Sequence, residues 1–165
     1  MKPRSTRCPV PPEQQPINEY QHIRGSWFYS WAARDLRGFI VPILILWLIS
    51  WLVSGPVSAA SFPPHKVLPK FLISGSAGAI LLPTLALLQL YVGWIHVGNR
   101  LKAKTVPYEE SGWYDGQVWL KPEEVATRDR LIVDYQVRPL LKRIQASLGI
   151  LASCLLAGSL IWQFV

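Results

Sequence analysis

Thiols, charge and catalytic signatures are scarce in this chain, and each scarcity removes a class of function. Only two cysteines occur, Cys8 and Cys154, at opposite ends and in unlike surroundings. They can build neither a disulfide scaffold nor a cysteine-based zinc site of the usual spacing. Charged residues make up 16% of the sequence, too few for a disordered polyelectrolyte. No phosphate-cradling glycine loop, nucleophile with its base or closed metal-ligand spacing is present, so no enzyme is expected. Lys and Arg outnumber Asp and Glu by 17 to 10, yet seven acidic residues interleave the longest basic stretch and no binding motif accompanies it. A nucleic-acid partner is therefore not expected.

What the chain does have is apolar length. Half of its residues are hydrophobic and the mean hydropathy is +0.22. Three runs carry no Asp, Glu, Lys or Arg: 22 residues from Phe39 to Ala60, 27 from Phe71 to Val97, and 22 from Ile144 to Val165. At 1.5 Å per helical residue the shorter runs reach about 33 Å, enough to cross a hydrocarbon core of roughly 30 Å. A cleaved secretory signal is the competing reading of the first run, with Val57-Ser58-Ala59 as its cleavage site. That run exceeds an h-region of about 7–15 residues, and it follows a long polar tract. A Ser-rich plastid address is not evident. The expectation is an all-α membrane protein with three transmembrane helices at 39–60, 71–97 and 144–165.

Charge sets the expected orientation. Residues 1–38 carry six Lys or Arg and residues 98–143 carry nine, whereas the connection 61–70 carries only Lys66 and Lys70. By the positive-inside rule the N-terminal strap (1–38) and the long loop (98–143) face the cytoplasm or stroma. The short loop (61–70) and the C-terminus then face the lumen or periplasm. After Pro122 the long loop reads as an amphipathic helix with i,i+4 pairs Glu124–Arg128, Arg130–Asp134 and Asp134–Arg138. Asp129 reads as an ion-pair partner of Arg130 or Arg138. The stripe Val133, Val137, Leu141, Ile144 carries this helix into the third span through a kink at Pro139.

Several stretches suggest contact chemistry. Pro9, Pro11, Pro12 and Pro16 predict an extended, polyproline-like segment from Cys8 to Ile17. It either docks into a partner's aromatic groove or straps the chain's own long loop. Trp27, Phe28, Tyr29 and Trp31 read as interfacial anchors beside Arg34 and Arg37, which are placed to meet anionic headgroups. In the loop YEESGWYDGQVWLKPEE, Gly112 and Gly116 flank aromatic residues that turns present to a surface. Trp113, Tyr114 and Trp119, with Pro11 and Pro12, are the candidate partner-binding residues. Glu109, Glu110 and Asp115 are hard oxygen ligands, and His22 can add a nitrogen ligand to a metal site built on them. In the second span Gln89 and His96 share a face; His96 can ligate a chlorophyll or haem, or the pair can bond neighbouring helices. Small residues at Ser50, Ser54 and Ser58, at Gly75 and Ala79, and at Gly149, Ser153 and Ala157 predict close helix contacts.

The stretches CPVPPEQQPINEY (Cys8 to Tyr20), SWFYSWA (Ser26 to Ala32), GPVSAASFPP (Gly55 to Pro64) and YEESGWYDGQVW (Tyr108 to Trp119) together resemble one family, as does the RDRLIV-YQV pattern from Arg128 to Val137. It is the uncharacterised membrane family of cyanobacteria and plastids called "conserved in the green lineage and diatoms" number twenty-seven, also known as a hypothetical chloroplast reading frame. The resemblance implies an oxygenic phototroph, a thylakoid or related (cyanobacterial inner) membrane, and a link to growth when iron is scarce. It brings no catalytic residues. The expected function is a non-enzymatic assembly or stability factor whose partners are the lipid bilayer and a photosystem or other membrane complex. The alternative is a metal- or haem-handling membrane protein. Its cofactors, if any, are unknown from sequence.

Overall fold

The computed structural model describes residues 8–109 and 116–165. Helix α2 (Leu36–Ser61) begins at Asp35, whose Oδ1 accepts a hydrogen bond from Gly38 N at 3.1 Å. This satisfies one of the first-turn donors that lack an intrahelical acceptor. After the turn at 62–67 the chain folds back as α3 (Leu68–Ala79) and continues as α4 (Leu81–Lys102). The break at Ile80 has a local cause. Pro83 has no N–H to give the Ala79 carbonyl, and its ring excludes that carbonyl from the helical position.

Small residues let α2 and α3 approach closely. A Cβ on Gly75 would lie 2.5 Å from the Trp51 ring, and one on Gly78 would lie 3.0 Å from Ser54 Cβ. The Ser58 hydroxyl donates to the Phe71 carbonyl at 2.9 Å and meets Ser74 Oγ. The expected small-residue contact thus forms between the first two spans. The third stripe does not join it: nothing approaches the Cβ position of Gly149 within 4 Å, and the Ser153 hydroxyl bonds back to the Gly149 carbonyl.

The third long helix starts far earlier than its uncharged run. Helix α5 (Glu123–Ile132) passes through a wide π turn at Val133–Val137 into α6 (Arg138–Trp162). In that turn the Arg138 N–H reaches back to the Val133 carbonyl. The expected disturbance at Pro139 is therefore a widened turn just before it, which relieves the clash of the proline ring with the preceding turn. The stripe is buried as expected at Val133, Val137 and Ile144.

Three helices, Leu36–Ser61, Leu68–Lys102 and Glu123–Trp162, are long and apolar enough to cross a membrane. Their apolar windows are largely exposed, only 11% buried in the first and 6% in the third. The core lies toward one end instead, where Phe39, Leu87, Leu90, Trp94 and Leu101 meet Val133, Val137 and Tyr20. At the opposite end Phe62 and Lys70 both contact the Trp162 ring.

The all-α expectation needs one correction. Strands β1 (Thr105–Tyr108) and β2 (Gln117–Leu120) form an antiparallel hairpin with Val106 opposite Trp119 and Pro107 opposite Val118. Both strands are rich in β-branched and aromatic residues, and Pro107 is tolerated because a two-stranded sheet has only edges.

Candidate functional site

The polar segments assemble into a cap over the end of α4. Its N-terminal part is less extended than expected: Pro12–Gln14 form a 3₁₀ turn and α1 (Pro16–Gly25) starts with Pro16 at its first position. Proline is well suited to that position, since its missing N–H would have no helical acceptor. The Gln14 side chain reads the hairpin backbone in both directions, donating to the Glu109 carbonyl and accepting from the Glu109 N–H, each at 3.0 Å. Val10 is buried against Val106, Tyr108 and Trp119. The N-terminal segment therefore straps the chain's own loop. Arg100, on α4, ties the N-terminal segment down through an ion pair with Glu19 and a 3.0 Å hydrogen bond to the Gln14 carbonyl.

Below the hairpin lies a buried ion pair that local sequence patterns did not reveal. Lys121 Nζ sits 2.8 Å from Asp129 Oδ2, and their side chains are 1% and 2% exposed. The same ammonium donates to the Arg100 and Leu101 carbonyls at 3.2 and 3.0 Å. Those carbonyls belong to the last turn of α4, which has no intrahelical donors left and carries the negative end of the helix dipole. Asp129 also meets Arg128 at 3.2 Å. The expected partners Arg130 and Arg138 are replaced by Lys121 and Arg128, whereas Asp134–Arg138 forms as expected at 3.2 Å. A signal existed: Asp129 lies about one helical turn before Val133 and about two before Val137, on their buried stripe.

The aromatic run before α2 is not a uniform set of anchors. Trp27 is 86% exposed, but Trp31 is buried. The Tyr29 ring lies over Gly93, where a Cβ would come within 2.4 Å. Tyr29 accepts from Gln89 Nε2 at 2.9 Å through its hydroxyl and from Trp94 Nε1 at 3.3 Å through its carbonyl. Gln89 thus bonds to the aromatic run rather than to another span.

Among the described residues no group of three or more His, Cys, Asp or Glu side chains is close enough to hold a metal ion. His96 is exposed and borders two clefts: one includes Gln14, Arg100 and Glu109, the other Glu13, Glu19 and His22. Glu109 and His22 thus line different clefts, with His96 between them. Pro11 is half-buried and Pro12 exposed, and Trp119 is half-buried against the strap. Trp113, Tyr114, Glu110 and Asp115 lie outside the described residues.

A family profile described as "Conserved in the green lineage and diatoms 27" matches residues 8–150, most of the cap and spans just described. The chain belongs to that family. It is 42% identical over 145 residues to the protein of that name, "chloroplastic", from Arabidopsis thaliana, covering 87% of this chain but 44% of that protein. It is 41% identical over 160 residues to the "Uncharacterized protein ycf36" of Pyropia yezoensis, covering 97% of this chain and 96% of that one. The protein of the same name from Cyanophora paradoxa is 41% identical over 147 residues, 88% of this chain and 91% of that protein. The chain thus spans less than half of the Arabidopsis relative and nearly all of the algal ones. No solved structure matches. The match runs through strap, hairpin and the π turn, so it takes in the segments that build the cap, the first two long apolar helices and the start of α6.

Proposed function

We propose that the chain is a non-enzymatic integral protein of the photosynthetic membrane that assists assembly or stability of a pigment–protein complex. The observation that carries this reading is the outward face of the hairpin. With Val106, Tyr108 and Trp119 turned to the strap, Pro107, Val118 and Leu120 point the other way, and Val118 and Leu120 are 64% and 61% exposed. A cap that buries one side of a marginal two-stranded sheet and leaves an apolar row on the other has the form of a contact surface. The exposed flanks of the spans offer further surface to lipid or partner helices. The cap then lies on the cytoplasmic or stromal side, where its cations are favoured.

The test is recovery of partner complexes from the native membrane in mild detergent. Replacing Val118 and Leu120 together by Asp should remove the partner while leaving the protein in the membrane, with at least a tenfold loss of co-purified material, as expected when about 2 kcal/mol of apolar contact is lost. Unchanged recovery rejects the hairpin face.

A second reading, metal or haem handling, is motivated by Glu19 Oε2, buried without a hydrogen-bond partner in the cleft that His22 and His96 also line, although these three side chains do not stand close enough together to hold an ion as a group. Metal analysis of purified protein decides it. Stoichiometric iron that disappears with His22→Ala and His96→Ala favours this reading over contact alone, and growth under scarce iron should then fail in the same variants.

A further inference from the structure

A cavity of about 330 Å³ lies where α1, the Tyr29–Ala33 turn, α4 and the first turns of α6 meet. Its polar lining consists of Tyr20, Arg24, Gln136 and Arg143, with Trp94 and Pro139 among the apolar walls. No carboxylate lines it. Among the described residues neither arginine forms an ion pair. Among the described residues Arg24 makes two long side-chain contacts, 3.5 Å to the Tyr20 hydroxyl and 3.4 Å to Gln136 Oε1. Arg143 donates to the Arg34 carbonyl at 2.7 Å and stands 5.6 Å over the Phe39 ring. Those contacts orient its guanidinium without neutralising it. Two uncompensated guanidinium groups at one cavity repel each other, and an oxyanion between them turns that repulsion into charge-assisted hydrogen bonding.

The depth of the cavity selects the ligand. Arg143 is the last charged residue before the uncharged run 144–165, and Ala32 and Ala33 of the wall directly precede Arg34 and the start of α2. The cavity therefore opens where the charged cap gives way to the apolar helices. In a membrane protein that is headgroup level, where arginine meets anionic lipid. The π turn brings Gln136 and Pro139 to the cavity wall, and such turns recur at functional sites.

We infer that this cavity binds one phosphate oxyanion, supplied by the headgroup of an anionic phospholipid, with Arg24 and Arg143 as its cationic ligands. The inference rests on the membrane reading above. The experiment uses the full chain in neutral detergent, titrated separately with phosphatidylglycerol, phosphatidylcholine and inorganic phosphate. Bound lipid is counted by native mass spectrometry and stabilisation is read as a thermal midpoint. Phosphatidylglycerol should be retained at one per chain and raise the midpoint; phosphatidylcholine should do neither. Arg24→Gln, at an exposed side chain whose loss leaves the core intact, should weaken phosphatidylglycerol binding at least tenfold. Arg143→Lys, which keeps the charge but loses the planar fork, should weaken it by less. Lys142→Gln, a cation outside the cavity lining, should change nothing. Equal retention of both lipids, or equal loss in Arg24→Gln and Lys142→Gln, overturns the site. If inorganic phosphate stabilises as strongly as phosphatidylglycerol at matched concentration, the lipid source is overturned. Carbonate extraction of native membranes separates the two levels: protein released to the supernatant refutes the membrane reading, whereas protein kept in the pellet without lipid selectivity refutes the headgroup site alone.

Discussion

Lys121 carries two tasks at once, closing the carbonyl end of α4 and neutralising Asp129. Desolvating such a pair is costly, so its presence does not by itself stabilise the fold; removing only one member leaves a buried charge and is the damaging change. Lys121→Met is expected to cost about 3 kcal/mol, partly offset by Arg128, which still reaches Asp129. The double variant Lys121→Met with Asp129→Leu should be more stable than Lys121→Met alone. Chemical unfolding in detergent measures both, and a double variant weaker than the single one would show that the carbonyl contacts dominate. At the same scale, Asp35 acts as an N-cap and Gln14 as a backbone clamp; both are short-range recognitions of unpaired amide groups.

Among elements, the glycines distinguish contacts that exist from contacts that are merely possible. Gly75 and Gly93 lie under the Trp51 and Tyr29 rings, with space for no Cβ. Substituting either by Ala should destabilise by about 1–3 kcal/mol through overpacking. Gly149→Ala meets nothing within 4 Å. It should be neutral or stabilise by up to about 1 kcal/mol through helix propensity. Thermal midpoints of the three variants order them; equal losses would mean that α6 has a partner across its Gly149 face. The uncharged runs announced the helices, but the first two extend outward beyond their runs because a helix ends where its hydrogen bonding ends, not where its charge begins; the third, entered from the Pro122 helix as expected, ends at Trp162, inside its run. Arg100 and Lys102 are still helical, and α5 merges with α6 across the widened turn.

At the scale of the molecule, residues 8–34 pack with 103–109 and 116–143 at one end, and 62–70 lies with Trp162 at the other. Among the described residues this sorting follows the division of cations in the sequence, twelve in 8–38 and 98–143 against Lys66 and Lys70 at the other end. With Cys8 and Cys154 replaced by Ser, an impermeant maleimide should label His65→Cys and Gln117→Cys from opposite sides of a sealed membrane. Equal protection at both would end the three-span arrangement. An oligomer or partner would cover the exposed flanks of α2 and α6, and the unpaired small-residue stripe of α6 is where such contact would be closest.

Composition and charge spacing by themselves determined the three apolar helices, the segregation of cations and the buried stripe through Val133, Val137 and Ile144, because each is set by residues near one another in the chain. Tertiary structure alone decided that Asp129 takes Lys121, that the proline-rich segment lies on its own hairpin, that Tyr29 and Trp31 turn inward, and that Arg24 and Arg143 share a cavity. Most of these contacts join residues many positions apart. Others depend on which face a folded element presents, so local periodicity had no means of choosing between partners that are equally suitable in charge and size.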